Sequence, residues 1–105
     1  MGIYLMMSKM TDKGLKTILS RPERIQEVNN EVRKMGAEIL AQYFLIGEYD
    51  FINILSAPDD YTIARIAMEL SSRGTLNTRS MPAFSVDGIT RYLSAHKVGS
   101  KYSSI

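Results

Sequence analysis

The sequence predicts an α+β domain whose elements run strand, helix, strand, strand, helix, strand, followed by a short C-terminal helix. Three observations carry this reading. Residues 37–46 and 51–57 are β-prone runs flanking Gly47-Glu48-Tyr49-Asp50, which predicts a hairpin. Two stretches that end at Gly36 and Gly74 carry apolar residues at helical spacing. The 105 residues, 45% of them hydrophobic, suffice for one core and no second one.

The first strand, residues 3–10, places Ile3, Leu5 and Met7 on one face and Tyr4, Met6 and Ser8 on the other. It stops at Thr11-Asp12-Lys13-Gly14, a cluster of turn-forming types. Ser20-Arg21-Pro22-Glu23 fits a capping box, with Ser20 as the cap and Glu23 three residues on, and predicts the start of the first helix. Ile25, Val28, Val32 and Met35 form its narrow apolar stripe, and Gly36 ends it as a left-handed residue. In the hairpin, a tight turn pairing Ile46 with Phe51 sets Phe44 against Asn53 and Tyr43 against Ile54. One face then carries Gln42, Phe44, Ile46, Phe51, Asn53 and Leu55, and the other Ala41, Tyr43, Leu45, Ile52, Ile54 and Ser56. After Pro58, Asp59 or Asp60 caps a second helix with the stripe Ile63, Ile66, Ala67 and Leu70, closed by Gly74. Residues 75–84 form the last strand, which Pro82 marks as an edge or as bulged. Residues 86–96 predict a third helix that buries Ile89, Tyr92 and Leu93. Residues 1–96 thus form one domain and 97–105 a polar, flexible tail.

This element order is that of the split βαβ or ferredoxin-like fold, an antiparallel sheet with helices on one face. The strands supply apolar groups to both sides, although a sheet with one solvated face should alternate to polar residues. A second copy is therefore expected on the uncovered face, with Phe44, Ile46, Phe51 and Leu55 at the seam. Two sheets packed in this way give a dimeric α/β-barrel, a homodimer or a unit of a higher oligomer. Gln42 and Asn53 would then find their hydrogen bonds within the dimer.

Composition narrows the chemistry. With no cysteine the chain forms neither disulfides nor thiolate metal sites. Thirteen Lys and Arg against eleven Asp and Glu leave a net charge of +2, too little for a nucleic-acid footprint. That excludes RNA binding, even though the element order is shared with the RNA recognition motif. No apolar run approaches the roughly 18 residues that span a bilayer, and the N-terminus lacks signal-peptide features, so a soluble, cytoplasmic protein is expected. His96 is the only histidine and falls at the end of the last helix as a solvated or capping residue. Asp59 and Asp60 read as helix caps before they read as metal ligands. No metal, cofactor or catalytic constellation is expected.

Gly47-Glu48-Tyr49-Asp50 with Phe51-Ile52-Asn53-Ile54, then Ala57-Pro58-Asp59-Asp60, Gly74, and Thr78 ahead of Ala83-Phe84, resembles the GYD domain family of small bacterial and archaeal proteins. Thr11, Gly14 and Pro22-Glu23-Arg24 fit the same pattern, which runs over about residues 3–84. The chain departs from it at Arg79, Ser80 and Pro82. The resemblance implies a ferredoxin-like, dimeric α/β-barrel fold and leaves the activity open. Residue chemistry makes Thr11, Tyr43, Tyr49, Asp50, Asn53 and Thr78 the candidate ligand-binding groups. At the Gly47–Asp50 turn, the competing reading is that Asp50 only satisfies turn amides. Two functions fit: a small-ligand-binding or regulatory homo-oligomer, and a cofactor-independent enzyme acting on a small hydrophobic or aromatic substrate. An enzyme would be a monooxygenase, isomerase or decarboxylase, with Tyr43, Tyr49, Asp50 and Asn53 as its polar groups.

Overall fold

The computed structural model describes residues 1–97. Strands β1 (Gly2–Met10), β2 (Glu38–Phe44), β3 (Phe51–Ala57) and β4 (Leu76–Ala83) form one antiparallel sheet in the order β2-β3-β1-β4. This is the strand order of a ferredoxin-like unit. Helices α1 (Asp12–Ser20), α2 (Arg24–Lys34) and α3 (Asp60–Ser71) cover one face, and α4 (Val86–Ala95) follows the last strand. Beneath the helices the core joins Tyr4 and Met6 of β1 and Leu55 and Ala57 of β3 to Val32, Ile63, Ile66 and Leu70. Each large apolar side chain removed from water there contributes roughly 1.5–3 kcal/mol.

Several expectations hold at residue level. Asp59 caps α3 by accepting from the Thr62 amide at 2.9 Å, and Ile63, Ile66 and Leu70 are buried. Gly36 and Gly74 sit at φ +107° and +72° past the ends of α2 and α3, where a side chain would be strained. Pro82 lies on β4, at the sheet edge.

Four expectations are corrected. Residues 11–20 are not a turn followed by an unassigned stretch: Thr11 caps a full helix, its hydroxyl accepting from the Gly14 amide at 3.2 Å. Ser20 is consequently the last residue of α1, and α2 begins at Arg24 after Pro22 with no side-chain cap. The hairpin is wider than a tight turn. Leu45 donates its amide to the Asp50 carbonyl at 2.7 Å, so Phe44 pairs with Phe51, Tyr43 with Ile52 and Gln42 with Asn53. The slip is an even number of residues, so most side chains keep their predicted faces; an irregularity between Ile39 and Ala41 returns Ile39 to the Leu55 side.

The third correction concerns the covered face. Phe51 and Leu55 lie in the core under the helices, 9% and 2% exposed, and cannot form a seam between copies. Phe44 is more than half exposed and stands edge-on to Phe51, and Ile46 projects fully from the loop. The open face instead carries Ile3, Leu5 and Met7 of β1, Ala41 and Tyr43 of β2, Ile52 and Ile54 of β3, and Arg79 and Met81 of β4. The fourth correction is α4: Ile89, Tyr92 and Leu93 are 42%, 57% and 60% exposed, and the helix buries no residue. Of the predicted tail, residues 98–105 lie outside the described residues.

Candidate functional site

A cavity of about 310 Å³ opens between the sheet and helices α1 and α2. Met6 and Met10 of β1, Ile18 of α1, Ile25, Val28 and Val32 of α2, and Phe51 and Leu55 of β3 form apolar walls. Cavities of this size and character hold small organic molecules.

Three amides form the polar wall. Asn29 and Gln42 exchange two hydrogen bonds, Asn29 Nδ2 donating to Gln42 Oε1 at 2.9 Å and Gln42 Nε2 donating to Asn29 Oδ1 at 3.0 Å. Gln42 Nε2 also donates to Asn53 Oδ1 at 2.8 Å, and Asn53 Nδ2 reaches the Met6 carbonyl at 3.4 Å. Asn29 is 6% exposed, and no buried side-chain polar atom among the described residues lacks a partner. Placing three primary amides in an apolar cleft is costly unless they satisfy one another. They do so while presenting both donors and acceptors, because each amide has more hydrogen-bonding capacity than these bonds use. The Ser8 side chain, 3% exposed, also lines the cavity.

Arg24 and Arg73 also border the cavity, and both bind Glu31: Arg24 Nη1 to Oε1 at 3.2 Å, and Arg73 Nη1 to Oε2. Arg24 reaches Glu27 at 3.1 Å as well, and Arg21 meets Glu27 at 2.6 Å. The hydrogen bond from Arg73 is the main reason the Glu31 carboxyl is held below its ordinary titration range. These bonds tie α2 to the end of α3 beside the cavity. At the other end of α3, the Tyr4 hydroxyl donates to Asp60 Oδ1 at 2.5 Å. That bond to a carboxylate, followed by burial, pushes the phenol up to about 12.

Of the six predicted ligand-binding residues, only Asn53 lines the cavity. Thr11 and Asp50 both bond backbone around the end of β1, as structure rather than as ligand groups. Asp50 Oδ2 accepts from the Met10 amide at 2.7 Å, and Asp50 donates its own amide to the Ser8 carbonyl at 2.9 Å. The Thr11 hydroxyl donates to the Gly74 carbonyl at 2.8 Å. Tyr43 stands on the open face, 64% exposed. Tyr49 lies in the β2–β3 loop, and Thr78 of β4 pairs with Ser8 of β1 without lining the cavity. Sequence reasoning missed Asn29. Its signal is helical phase: it lies four residues after Ile25 and three before Val32, on the buried stripe.

Fold and site define a small ferredoxin-like domain with an amide-lined cavity between sheet and helices and an apolar open sheet face. The chain belongs to the GYD domain family, which matches residues 4–93. It is 41% identical over 87 residues to a Thermus thermophilus protein named glutamine synthetase and cystathionine beta-lyase binding protein, covering 82% of this chain and 92% of that relative. The crystal structure of TTHA0845, also from Thermus thermophilus, shares the fold, with a TM-score of 0.51 at 17% identity, over 82% of this chain and 96% of that one. No described helix is long and apolar enough to cross a membrane, and no group of three or more His, Asp or Glu residues among the described residues could hold a metal ion.

Proposed function

We propose that this protein is a non-catalytic, regulatory homodimer that binds a small ligand between its sheet and helices. The cavity with its three-amide wall carries the reading. Its volume fits a molecule with an apolar body, and the amides offer a neutral donor-and-acceptor surface to one polar end. The lining consists of apolar groups, amides, hydroxyls and guanidinium groups, which recognise a ligand but supply no base that titrates near neutrality. That chemistry favours binding over the enzyme alternative.

Two further observations support the rest of the reading. The apolar open face of the sheet suits cover by a second copy, with Leu5, Met7, Ile52 and Ile54 at its centre in place of Phe51 and Leu55. The relative's name describes a protein that binds glutamine synthetase and cystathionine beta-lyase, and a role of that kind for this chain would place it in the cytoplasm.

Native mass spectrometry of the purified protein tests the ligand. The expected result is a non-covalent adduct of small mass that is lost in Val28→Trp, which fills the cavity. A protein that carries no adduct and gains none from a library of small amphipathic molecules refutes it. Titration with a purified glutamine synthetase, followed by light scattering, tests attachment.

A further inference from the structure

The last helix has no place in the chain that carries it. Helix α4 buries no residue and has no substantial packing against any other described element. The molecule consequently measures 61 Å along its longest axis against 29 Å and 20 Å along the others. The helix is nevertheless well specified. Ser85 caps it by accepting from the Gly88 amide at 2.9 Å, and the Tyr92 and His96 rings stack at 4.0 Å near its end. His96 Nδ1 lies 2.9 Å from the Tyr92 carbonyl oxygen. Its exposed residues are not scattered: Val86, Ile89 and Leu93 recur at spacings of three and four and form one apolar stripe, with Tyr92 beside it. Phe84, just before the helix, is 78% exposed as well. An isolated helix of ten residues is marginal in water, so this segment needs a packing partner to persist.

We propose that α4 is an exchanged arm: in the homodimer each chain lays this stripe along the rim of the other copy's open sheet face. The proposal rests on the homodimer reading above and adds the element that completes the interface. Area is the argument for a second copy as the occupant. The four-stranded open face offers roughly 450 Å² of footprint, from strand spacing and length. A stable dimer buries about 800 Å² per partner. Sheet-to-sheet contact alone falls short. A ten-residue helix adds a footprint of about 150 Å² on the arm and about as much on the rim that receives the other copy's arm, which brings each partner's contact to roughly 750 Å². The arm starts two residues after β4, an edge strand of the sheet, so it departs beside the face that the second copy covers. Both surfaces are apolar, both are unpartnered within the chain, and a two-fold axis supplies each of them twice.

The test combines sedimentation velocity with hydrogen exchange on the full-length protein. The variants are Ile89→Asp/Leu93→Asp, in the arm, and Ile54→Lys, on the open face. Because α4 buries nothing within its own chain, the arm variant keeps the fold, which circular dichroism and exchange protection of β1 and β3 verify. The expected result is a wild-type dimer whose dissociation constant rises about 100-fold or more in the arm variant, since a charge is then forced into an apolar contact. Protection of residues 86–95 should appear only at concentrations where the dimer forms. If Ile54→Lys dissociates the protein while the arm variant leaves the dimer unchanged, the arm is refuted and the homodimer stands. Protection of α4 in the monomer refutes the arm too. A wild-type protein that is monomeric at about 100 µM overturns both readings.

Discussion

Replacing Gly14 by alanine sets two effects against each other. Gly14 lies in the first turn of α1, where helix propensity alone favours alanine by up to ~1 kcal/mol. The structure predicts the opposite sign. A Cβ at Gly14 would stand 2.0 Å from the Thr75 carbonyl oxygen and 2.7 Å from the Met10 Cε. The methionine methyl can swing aside, but the carbonyl is held. It accepts the Thr11 amide at 3.0 Å, and the neighbouring Gly74 carbonyl accepts the Thr11 hydroxyl at 2.8 Å. Relieving the contact moves backbone away from α1 and breaks at least one of these bonds. Overpacking costs about 1–3 kcal/mol and a lost hydrogen bond about 1 kcal/mol, so Gly14→Ala should destabilise by about 2 kcal/mol net. In a domain of this size that lowers Tm by on the order of 10 °C. Urea unfolding followed by circular dichroism measures it. Gly88→Ala is the control: a Cβ there meets only the capping Ser85 hydroxyl at 2.8 Å, and the disturbance stays within α4, which buries no residue, so the unfolding midpoint should be nearly unchanged. A Gly14→Ala protein as stable as wild type or more so would show that helix propensity wins and that the close approach of α1 to residue 75 is not tight.

Other perturbations separate the parts of the structure. Phe51→Glu should unfold the domain, since it buries a carboxylate under the helices, and far-ultraviolet circular dichroism will report it; Ile54→Lys should leave the fold intact. Gln42→Leu leaves Asn29 and Asn53 without their shared partner and should cost about 1–3 kcal/mol in urea unfolding, as well as weakening any bound ligand. Stability should fall on acidification. The Glu31 carboxyl titrates below its unfolded value, so its contribution is complete above about pH 4.3 and disappears as pH drops through the lower folded value. Arg73→Met should remove most of that slope; at a third exposed, the pair will also be weakened by salt. On the alkaline side Tyr4 behaves oppositely. Its folded phenol titrates at about 12, so its contribution is intact below pH ~10 and is lost as pH climbs towards 12, and Tyr4→Phe should flatten that limb of the stability curve.

The sequence displayed the sheet better than it displayed the sheet's orientation. Alternation along residues 51–57 sorted side chains to faces correctly, and an even register slip left most of that sorting untouched. Which face the helices cover was not legible from hydrophobicity, because Leu5, Ile52 and Ile54 are as apolar as Met6, Phe51 and Leu55. The polar residues held the clue. Gln42 and Asn53 needed a partner, and the one residue on the apolar stripe of α2 able to supply it was Asn29. The first helix was hidden by Thr11 and Gly14, which serve equally as turn residues and as a cap with its recipient amide. Asp50 and Thr11 looked like ligand groups because the same oxygen atoms that bind ligands also bind backbone, and only three-dimensional proximity decides between the two.

The first of the four strands in chain order occupies the middle of the sheet. β1 lies between β3 and β4, with Gly2 opposite Ala57 and Ile3 opposite Ala83. Both edges of that strand therefore stay unpaired on a growing chain until residues 51–57 and then 76–83 are available to it. Pairings this distant raise the contact order and slow folding relative to a sheet built from successive hairpins. During that interval Leu5 and Met7 are exposed on an unsatisfied strand, the condition that favours aggregation. Slower synthesis or added chaperone should accordingly raise the soluble yield of this protein.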